Sequence, residues 1–499
     1  MRRYLLTMVA LSGLVAVCSG QNIATYHNQD IENSAIYLSG NPYQRDMLLY
    51  VDMLTSTHPY YADQKHCTKL DKQTRRMYRE CGKIGSDLDF KIYLAKIAAS
   101  LNDGHTSVPF WGGFDMIFPV KFILNGGSSA VIEISPENRR DLLGKEVESI
   151  NGKEIWQILK TARPLVSADN DANYVNTIKE LMMFAQFWSL IGMSDEVMQL
   201  TFTDGTNAEI SAVDRSNLRI AQLQKCETAK VTAQRGVLFN YTIFEDESIC
   251  YLQFNQFADR LTHPNYPQLA RFDEFTRNMM ADIEAKGIET LVVDLQYNGG
   301  GNSQLGDVLL SWLYPHRETK RYGVDVRVSE LLYTYYPYYR NFTVSGEYLK
   351  IGRLYDYMGF DHSKEYEVDY NAVQDPNKHL FNFDDEHIFD GNIIFVQGKN
   401  SFSSTTLLLT MARDNGIGII IGEPSGGKPS HYGDVLYCML PNTGAIATVS
   451  HKHFVRPNIE ATDCDCIMPD VMVELNNPDS DLVWEWIVEH YGKANGRAY

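Results

Sequence analysis

A serine and a lysine frame the chemistry this chain could perform. Ser403 sits in Asn400-Ser401-Phe402-Ser403-Ser404-Thr405-Thr406, where an apolar strand-like stretch gives way to a helix, and Lys428 closes the run Gly422-Glu423-Pro424-Ser425-Gly426-Gly427-Lys428. A serine hydroxyl is a poor nucleophile near neutral pH. A lysine amine can act as its base only where burial or nearby positive charge holds it neutral. The start of a helix presents unpaired N–H groups and the positive end of the helix dipole, which suits a developing oxyanion. One expected donor is the backbone N–H of Ser404. The other is that of Gly299 or Gly300 in Asp294-Leu295-Gln296-Tyr297-Asn298-Gly299-Gly300-Gly301, since glycine lets the backbone come close to a substrate carbonyl. The competing explanation is that Ser401, Ser403 and Ser404 only cap the helix.

His105, in Asn102-Asp103-Gly104-His105-Thr106, offers a second base, because an imidazole is poised near pH 7 without special help. Its bland alternative is a turn histidine capping the helix before it. Metal chemistry is the rival within the enzyme class. His451-Lys452-His453 would put two imidazoles on one strand face, and Asp463-Cys464-Asp465-Cys466 is rich in thiols. With no His-Glu-x-x-His and no two spaced Cys-x-x-Cys pairs, these read as an exposed strand and a disulfide-bearing loop. No metal or other cofactor is therefore expected, and the lack of a Walker-type loop gives no reason to expect ATP.

The glycine block at 294–301, the Ser403 turn, the Gly422–Lys428 run and Leu440-Pro441-Asn442-Thr443-Gly444 resemble, in order, successive blocks of the tail-specific (C-terminal processing) serine peptidase family. The resemblance spans roughly the second half of the chain. It implies Ser403 as nucleophile, with Ser404 as the alternative one register away, and Lys428 as base. A tricorn-like branch of the family uses a histidine in the block matching His105. Phe402 stands where a small residue is common, and Tyr432, four residues after Lys428, stands where glutamine is common. Spacing and glycines favour the lysine; both bases remain open. The implied activity is hydrolysis of peptide bonds in protein or peptide substrates. The alternative function is non-proteolytic ligand or peptide binding on the same fold, as in the retinoid-binding relatives, and the presence of both Ser403 and Lys428 argues against it.

The positioning elements follow from periodicity. Residues 21–112 read as helical, with apolar residues at helical spacing over 47–54 and 90–101. Residues 113–235 alternate strand-like stretches with one helix over 176–191, and Leu143 to Ile155 resembles the strand and turn of a PDZ domain, without the usual glycine-rich carboxylate loop. From 236 to 499 strands and helices alternate, which requires crossovers and a mostly parallel sheet. The resemblance makes this an α/β core of ClpP/crotonase type, preceded by the helical region and the small PDZ-like β module. A Tyr-rich insertion at about 315–388 either lines a cleft or covers the sheet edge.

Composition narrows the partners. The chain has 499 residues, 44% of them hydrophobic, which is enough for two or three cores. A formal charge of −18 opposes nucleic-acid binding. Arg2-Arg3, the apolar run Tyr4 to Val17 and Ser19-Gly20-Gln21 read as a secretory signal over 1–20, too short for a membrane span of about 20 residues. The protein is thus expected to be secreted or periplasmic, with a lipid on Cys18 as the lesser alternative. Export permits disulfides, and Cys67 with Cys81 is the simplest pair. Asn240-Tyr241-Thr242 and Asn341-Phe342-Thr343 are glycosylation sequons.

Overall fold

The computed structural model describes residues 23–493 except 126–128, 219–222, 226–229, 232–235, 264, 316–317, 338, 340–341, 345–354, 357–358, 361–365, 369–387 and 478–479. The expected signal segment with Cys18, Cys226, the Asn341 sequon and most of the Tyr-rich insertion lie outside the described residues.

The N-terminal region is helical, as the spacing of its apolar residues predicts. Its main helices are α1 (Pro42–Thr57), α2 (Gln64–Cys81) and α3 (Asp87–Ala99). Helix α1 starts on a capping box, in which the Asn41 side chain takes the Gln44 N–H and the Gln44 side chain takes the Asn41 N–H. Its buried face carries Met47, Leu49, Tyr50, Met53 and Leu54, all fully enclosed. Cys67 and Cys81 are free, and the expected disulfide is absent. Both lie on α2, and at about 1.5 Å of rise per residue their separation is on the order of 20 Å, far beyond disulfide reach.

The second region is built on a seven-stranded sheet. It contains β1 (Lys121–Asn125), β2 (Ser129–Pro136) and β3 (Glu146–Ile150), then α4 (Ile155–Ala162), α5 (Asp171–Leu181) and α6 (Ala185–Leu190), then β4 (Val197–Phe202) and β5 (Asn207–Ser211). The single helix expected over 176–191 is in fact two. The chain breaks at Met182, whose carbonyl accepts the buried Trp188 indole N–H at 2.8 Å instead of continuing the ladder. Helix α4, not anticipated, begins on a Glu154/Gln157 capping box just past the Asn151-Gly152 turn.

The third region holds the core sheet. Strand β6 (Phe239–Phe244) runs antiparallel to β7 (Ile249–Phe254). Helix α7 (Phe272–Lys286) connects β7 to β8 (Thr290–Asp294), and β7, β8, β9 (Asn392–Gln397) and β10 (Ile419–Gly422) lie side by side in parallel register. Helices α8 (Gln304–Ser311) and α9 (Ser404–Asn415) cover this sheet. Every residue of β7 and β8 is buried, the pattern of strands covered on both faces.

A second six-stranded sheet contains β11 (His431–Met439) and β12 (Ile446–Val455), with Gly323–Val326 on the far side of β12. Strand β12 is central in that sheet. The expectation of an exposed strand at 451–453 is therefore overturned: His451 is fully buried.

Two tyrosines of the insertion's described part are tied to the structure. Tyr322 Oη donates to the Pro429 carbonyl at 2.7 Å and Tyr335 Oη to the Tyr437 carbonyl at 2.7 Å. Among the described residues no helix is long and apolar enough to cross a membrane.

Candidate active site

Ser403 occupies the turn between β9 and α9 in a conformation that non-glycine residues rarely adopt, φ 57° and ψ −124°. Such strain persists only where its surroundings impose it, and it is concentrated at functional sites. The surroundings here are explicit. Ser401 Oγ donates to the Leu295 carbonyl at 3.0 Å and accepts the Gly398 N–H at 3.0 Å. The Asn298 carbonyl accepts both the Phe402 N–H at 3.3 Å and Thr405 Oγ1 at 2.9 Å. Gly300, at φ 99°, fits beneath; a Cβ there would stand 2.8 Å from Ser403 Cβ and 2.9 Å from the Ser404 nitrogen.

Helix capping does not account for these serines. Ser403 makes no side-chain cap bond; its Oγ lies 3.0 Å from His105 Nε2. Ser404 Oγ donates to the Gly301 carbonyl at 2.6 Å, so its hydroxyl is already engaged. Of the expected oxyanion donors, Gly300 N–H is used by Asn298 Oδ1 at 2.9 Å. The backbone N–H groups of Ser404, at the start of α9, and of solvent-facing Gly299 are left for that role.

The core delivers the serine, and the N-terminal region delivers the histidine. The loop after α3 is held against β12: Ser107 N–H donates to the Thr448 carbonyl at 3.2 Å, Thr448 Oγ1 donates to the His105 carbonyl at 2.7 Å, and Thr106 Oγ1 accepts the Ser450 N–H at 3.0 Å. The His105 ring stacks on Phe402 at 4.5 Å and lies nearly parallel to His431 at 6.0 Å.

Asp103, enclosed with only 1% exposure, faces His105 from behind. Its Oδ1 accepts the His105 backbone N–H at 2.9 Å and stands 3.6 Å from His105 Nδ1. Its Oδ2 accepts from Ser450 Oγ at 2.7 Å and pairs with His58 Nε2 at 3.0 Å. Burial works against the Asp103 carboxylate, yet His105 and His58 outweigh it and hold the group well below the usual carboxylate range. For His105, burial disfavours the imidazolium, but Asp103, then Asp169 and Asp434, prevail and raise it above an ordinary histidine. His431 is pushed down to about 3 by burial and by His105 beside it.

Lys428, which spacing favours as base, does not reach Ser403 by any hydrogen bond among the described residues. Its Nζ donates to the Asn102 carbonyl at 3.3 Å, and its backbone N–H meets Asp169 Oδ2 at 3.4 Å. Asp169 also accepts the Gly104 N–H at 2.7 Å, so one carboxylate ties the histidine loop to the lysine loop. Burial raises Asp169 to about 6.

Asp103, His105 and Asp169 bring ligand-type atoms within 4.8 Å of one another, but both carboxylates already take donors from the protein. The pairs proposed at 451–466 are separated. His451 lies 3.6 Å from Asp434 and His453 3.7 Å from Asp325, Asp463 binds Arg456, and Cys464 and Cys466 are free, so the loop carries no disulfide. The sequence reading passed over Asp103, His58, Ser450, Asp169 and Asn298. Only Asp103, inside the Asp-Gly-His-Thr block, had a signal that could have found it.

Residues 248–473 match the model described as peptidase family S41. No curated protein matches the chain by sequence. Among solved structures, mature CPAF complexed with lactacystin superposes with a TM-score of 0.58 at 14% identity, over 92% of this chain and 97% of that one. Mature CPAF alone gives 0.56 at 12%, over 91% and 96%. The photosystem II D1 C-terminal processing protease aligns at 13% identity over 91% of this chain and 98% of that one, with a TM-score of 0.42.

Proposed function

Starting from a chain whose residues 248–473 belong to peptidase family S41 and which is therefore a serine-type peptidase, we propose an exported endopeptidase in which Ser403 attacks the substrate carbonyl and His105 takes, then returns, the proton. The observation that carries this reading is the 3.0 Å contact between Ser403 Oγ and His105 Nε2. Nδ1 of the neutral ring carries the hydrogen, so Nε2 is free to accept. As the imidazolium forms, the charge is balanced by Asp103, 3.6 Å from Nδ1, which stays ionised. The backbone N–H groups of Ser404 and Gly299 receive the oxyanion. Lys428 holds the Asn102 carbonyl and acts on the shape of the His105 loop.

The substrates are proteins or peptides. The core is of ClpP/crotonase type, with 21–112 as a helical region, 113–235 as a PDZ-like module and 236–499 as the catalytic domain. The sheet of β1 to β5 with its flanking helices supports the module assignment. Export is supported by the basic start and apolar run before Gln21, and the charge of −18 argues against nucleic acid as a partner.

Three variants, Ser403→Ala, His105→Ala and Lys428→Ala, decide between the bases when assayed for casein hydrolysis and for labelling by a fluorophosphonate. Loss of both readouts in the first two, with a partly active Lys428→Ala, is expected. An active His105→Ala beside a dead Lys428→Ala would make the lysine the base.

A further inference from the structure

We propose that His58 is a positioning residue for catalysis: through Asp103 it fixes the orientation of the His105 imidazole, so that the residue closing α1 belongs to the machinery that acts at Ser403. This rests on the reading of His105 as the base.

The tautomer of His58 follows from its two contacts. Nδ1 accepts the Tyr60 backbone N–H at 3.1 Å, so that nitrogen carries no hydrogen. The ring's one hydrogen therefore sits on Nε2, 3.0 Å from Asp103 Oδ2, and is donated to the carboxylate. His58 is fully buried, as is Asp103, so no water competes for either group. Tyr432 packs on the His58 ring at 4.6 Å, with Tyr60 and Tyr61 edge-on at 6.5 and 6.3 Å, which leaves the imidazole one orientation.

Asp103 is thereby fixed at both oxygens. Oδ2 takes His58 Nε2–H and Ser450 Oγ–H, while Oδ1 accepts the His105 backbone N–H and faces Nδ1 at 3.6 Å, longer than a hydrogen bond. Without the His58 donor, the carboxylate keeps one side-chain partner on Oδ2 and can turn about its Cβ–Cγ bond. The point toward which His105 Nδ1–H is aimed then moves. A misplacement of about 1 Å remote from the reacting atoms can cost on the order of 10²-fold in rate. The line from His58 to Ser403 is made of three contacts, and its first three members, His58, Asp103 and His105, precede the residues that match the S41 model.

His58 also caps the short turn Pro59–Ala62 through Nδ1, and two substitutions separate the two jobs. Glutamine places an amide N–H where Nε2 stands and loses the Nδ1 acceptor; asparagine places an amide oxygen where Nδ1 stands and loses the Nε2 donor. With a fluorogenic peptide taken from a casein cleavage site, His58→Gln is expected to keep kcat within about 10-fold of wild type, and His58→Asn to lose about 100-fold in kcat with KM nearly unchanged. Wild-type kcat in His58→Asn overturns the proposal, and so do equal losses in both variants, which would mark a packing or capping role. Should both variants melt below the assay temperature, Ser450→Ala, which removes the other donor from Oδ2, is read in their place, and wild-type kcat there overturns the proposal. His105→Ala in the same assay tests the underlying reading separately: full activity there removes the base itself, whereas a dead His105→Ala beside a wild-type-like His58→Asn removes only the role of His58.

Discussion

Ser403 and its neighbour differ in what their hydroxyls touch, and their substitutions should differ accordingly. Ser403→Ala is expected to lower kcat by on the order of 10³-fold or more, because only binding and the oxyanion donors remain. Its melting temperature should stay near wild type, since Ser403 Oγ caps nothing. Ser404→Ala keeps the backbone N–H and should stay active, with a loss of about 1 kcal/mol from the bond to Gly301. Kinetics and thermal melting of both variants check this. The pH profile is the second residue-scale test. As the proposed base, His105 has to be neutral to accept the proton, and Asp103, Asp169 and Asp434 raise it against the effect of burial, with His431 facing it uncharged. Activity should therefore fall, as pH is lowered, through a value above the ordinary histidine figure of about 6.5. Asp103→Asn removes the strongest raising partner, so kcat/KM should drop on the order of 10³–10⁴-fold and the acid limb should move to lower pH.

At the scale of elements, the turn between β9 and α9 is held in place by the glycine loop after β8. Gly300→Ala would force a Cβ to within 2.8 Å of Ser403 Cβ, at a backbone φ of 99° that alanine resists. A cost of about 1–3 kcal/mol is expected from the strained backbone alone, together with loss of fluorophosphonate labelling as Ser403 is displaced. Wild-type labelling and melting would show that the loop can move aside. The alternation of strands and helices from 240 onward was legible because each strand is a short, continuous apolar run bounded by turn residues. The break at Met182 was not, because apolar residues continue through it and a tertiary hydrogen bond from Trp188 decides the matter.

For the whole molecule, the question is what joins the N-terminal region to the core. The Asp46 carboxylate on α1, fully buried, takes four donors from the turn between β11 and β12: Asn442 N–H at 3.1 Å, Asn442 Nδ2 at 2.7 Å, Thr443 N–H at 2.7 Å and Thr443 Oγ1 at 2.6 Å. This gives the Leu440–Gly444 block a docking role. Asp46→Ala should destabilise by about 2–3 kcal/mol by leaving those donors unpaired, and should lower kcat as well, because α1 carries His58. Denaturant melts paired with kinetics test both halves. Thiol reactivity gives a second check on the assembly. Cys81, Cys250 and Cys438 are buried and pushed up to about 12, whereas Cys464 is exposed. Native alkylation followed by mass spectrometry should modify Cys464 and spare those three, and Cys67 and Cys81 should both alkylate after unfolding without reductant.

The sequence by itself determined the order of elements in the core, the serine at the head of α9 and the family to which the surrounding blocks point. These are local properties: apolar period, glycine placement and short contiguous motifs survive without knowledge of what packs against them. It favoured Lys428 over His105 by spacing along the chain, which measures loop length and not approach in space. Lys428 stands near Ser403 in sequence, but the Asn102 carbonyl takes its ammonium. His105 is far away in sequence, and it reaches the serine because β12 and α1 bring the loop after α3 into contact with the core. His58, Ser450 and Asp169 became visible only in the folded chain, where burial removes water and makes each remaining hydrogen bond decide an orientation.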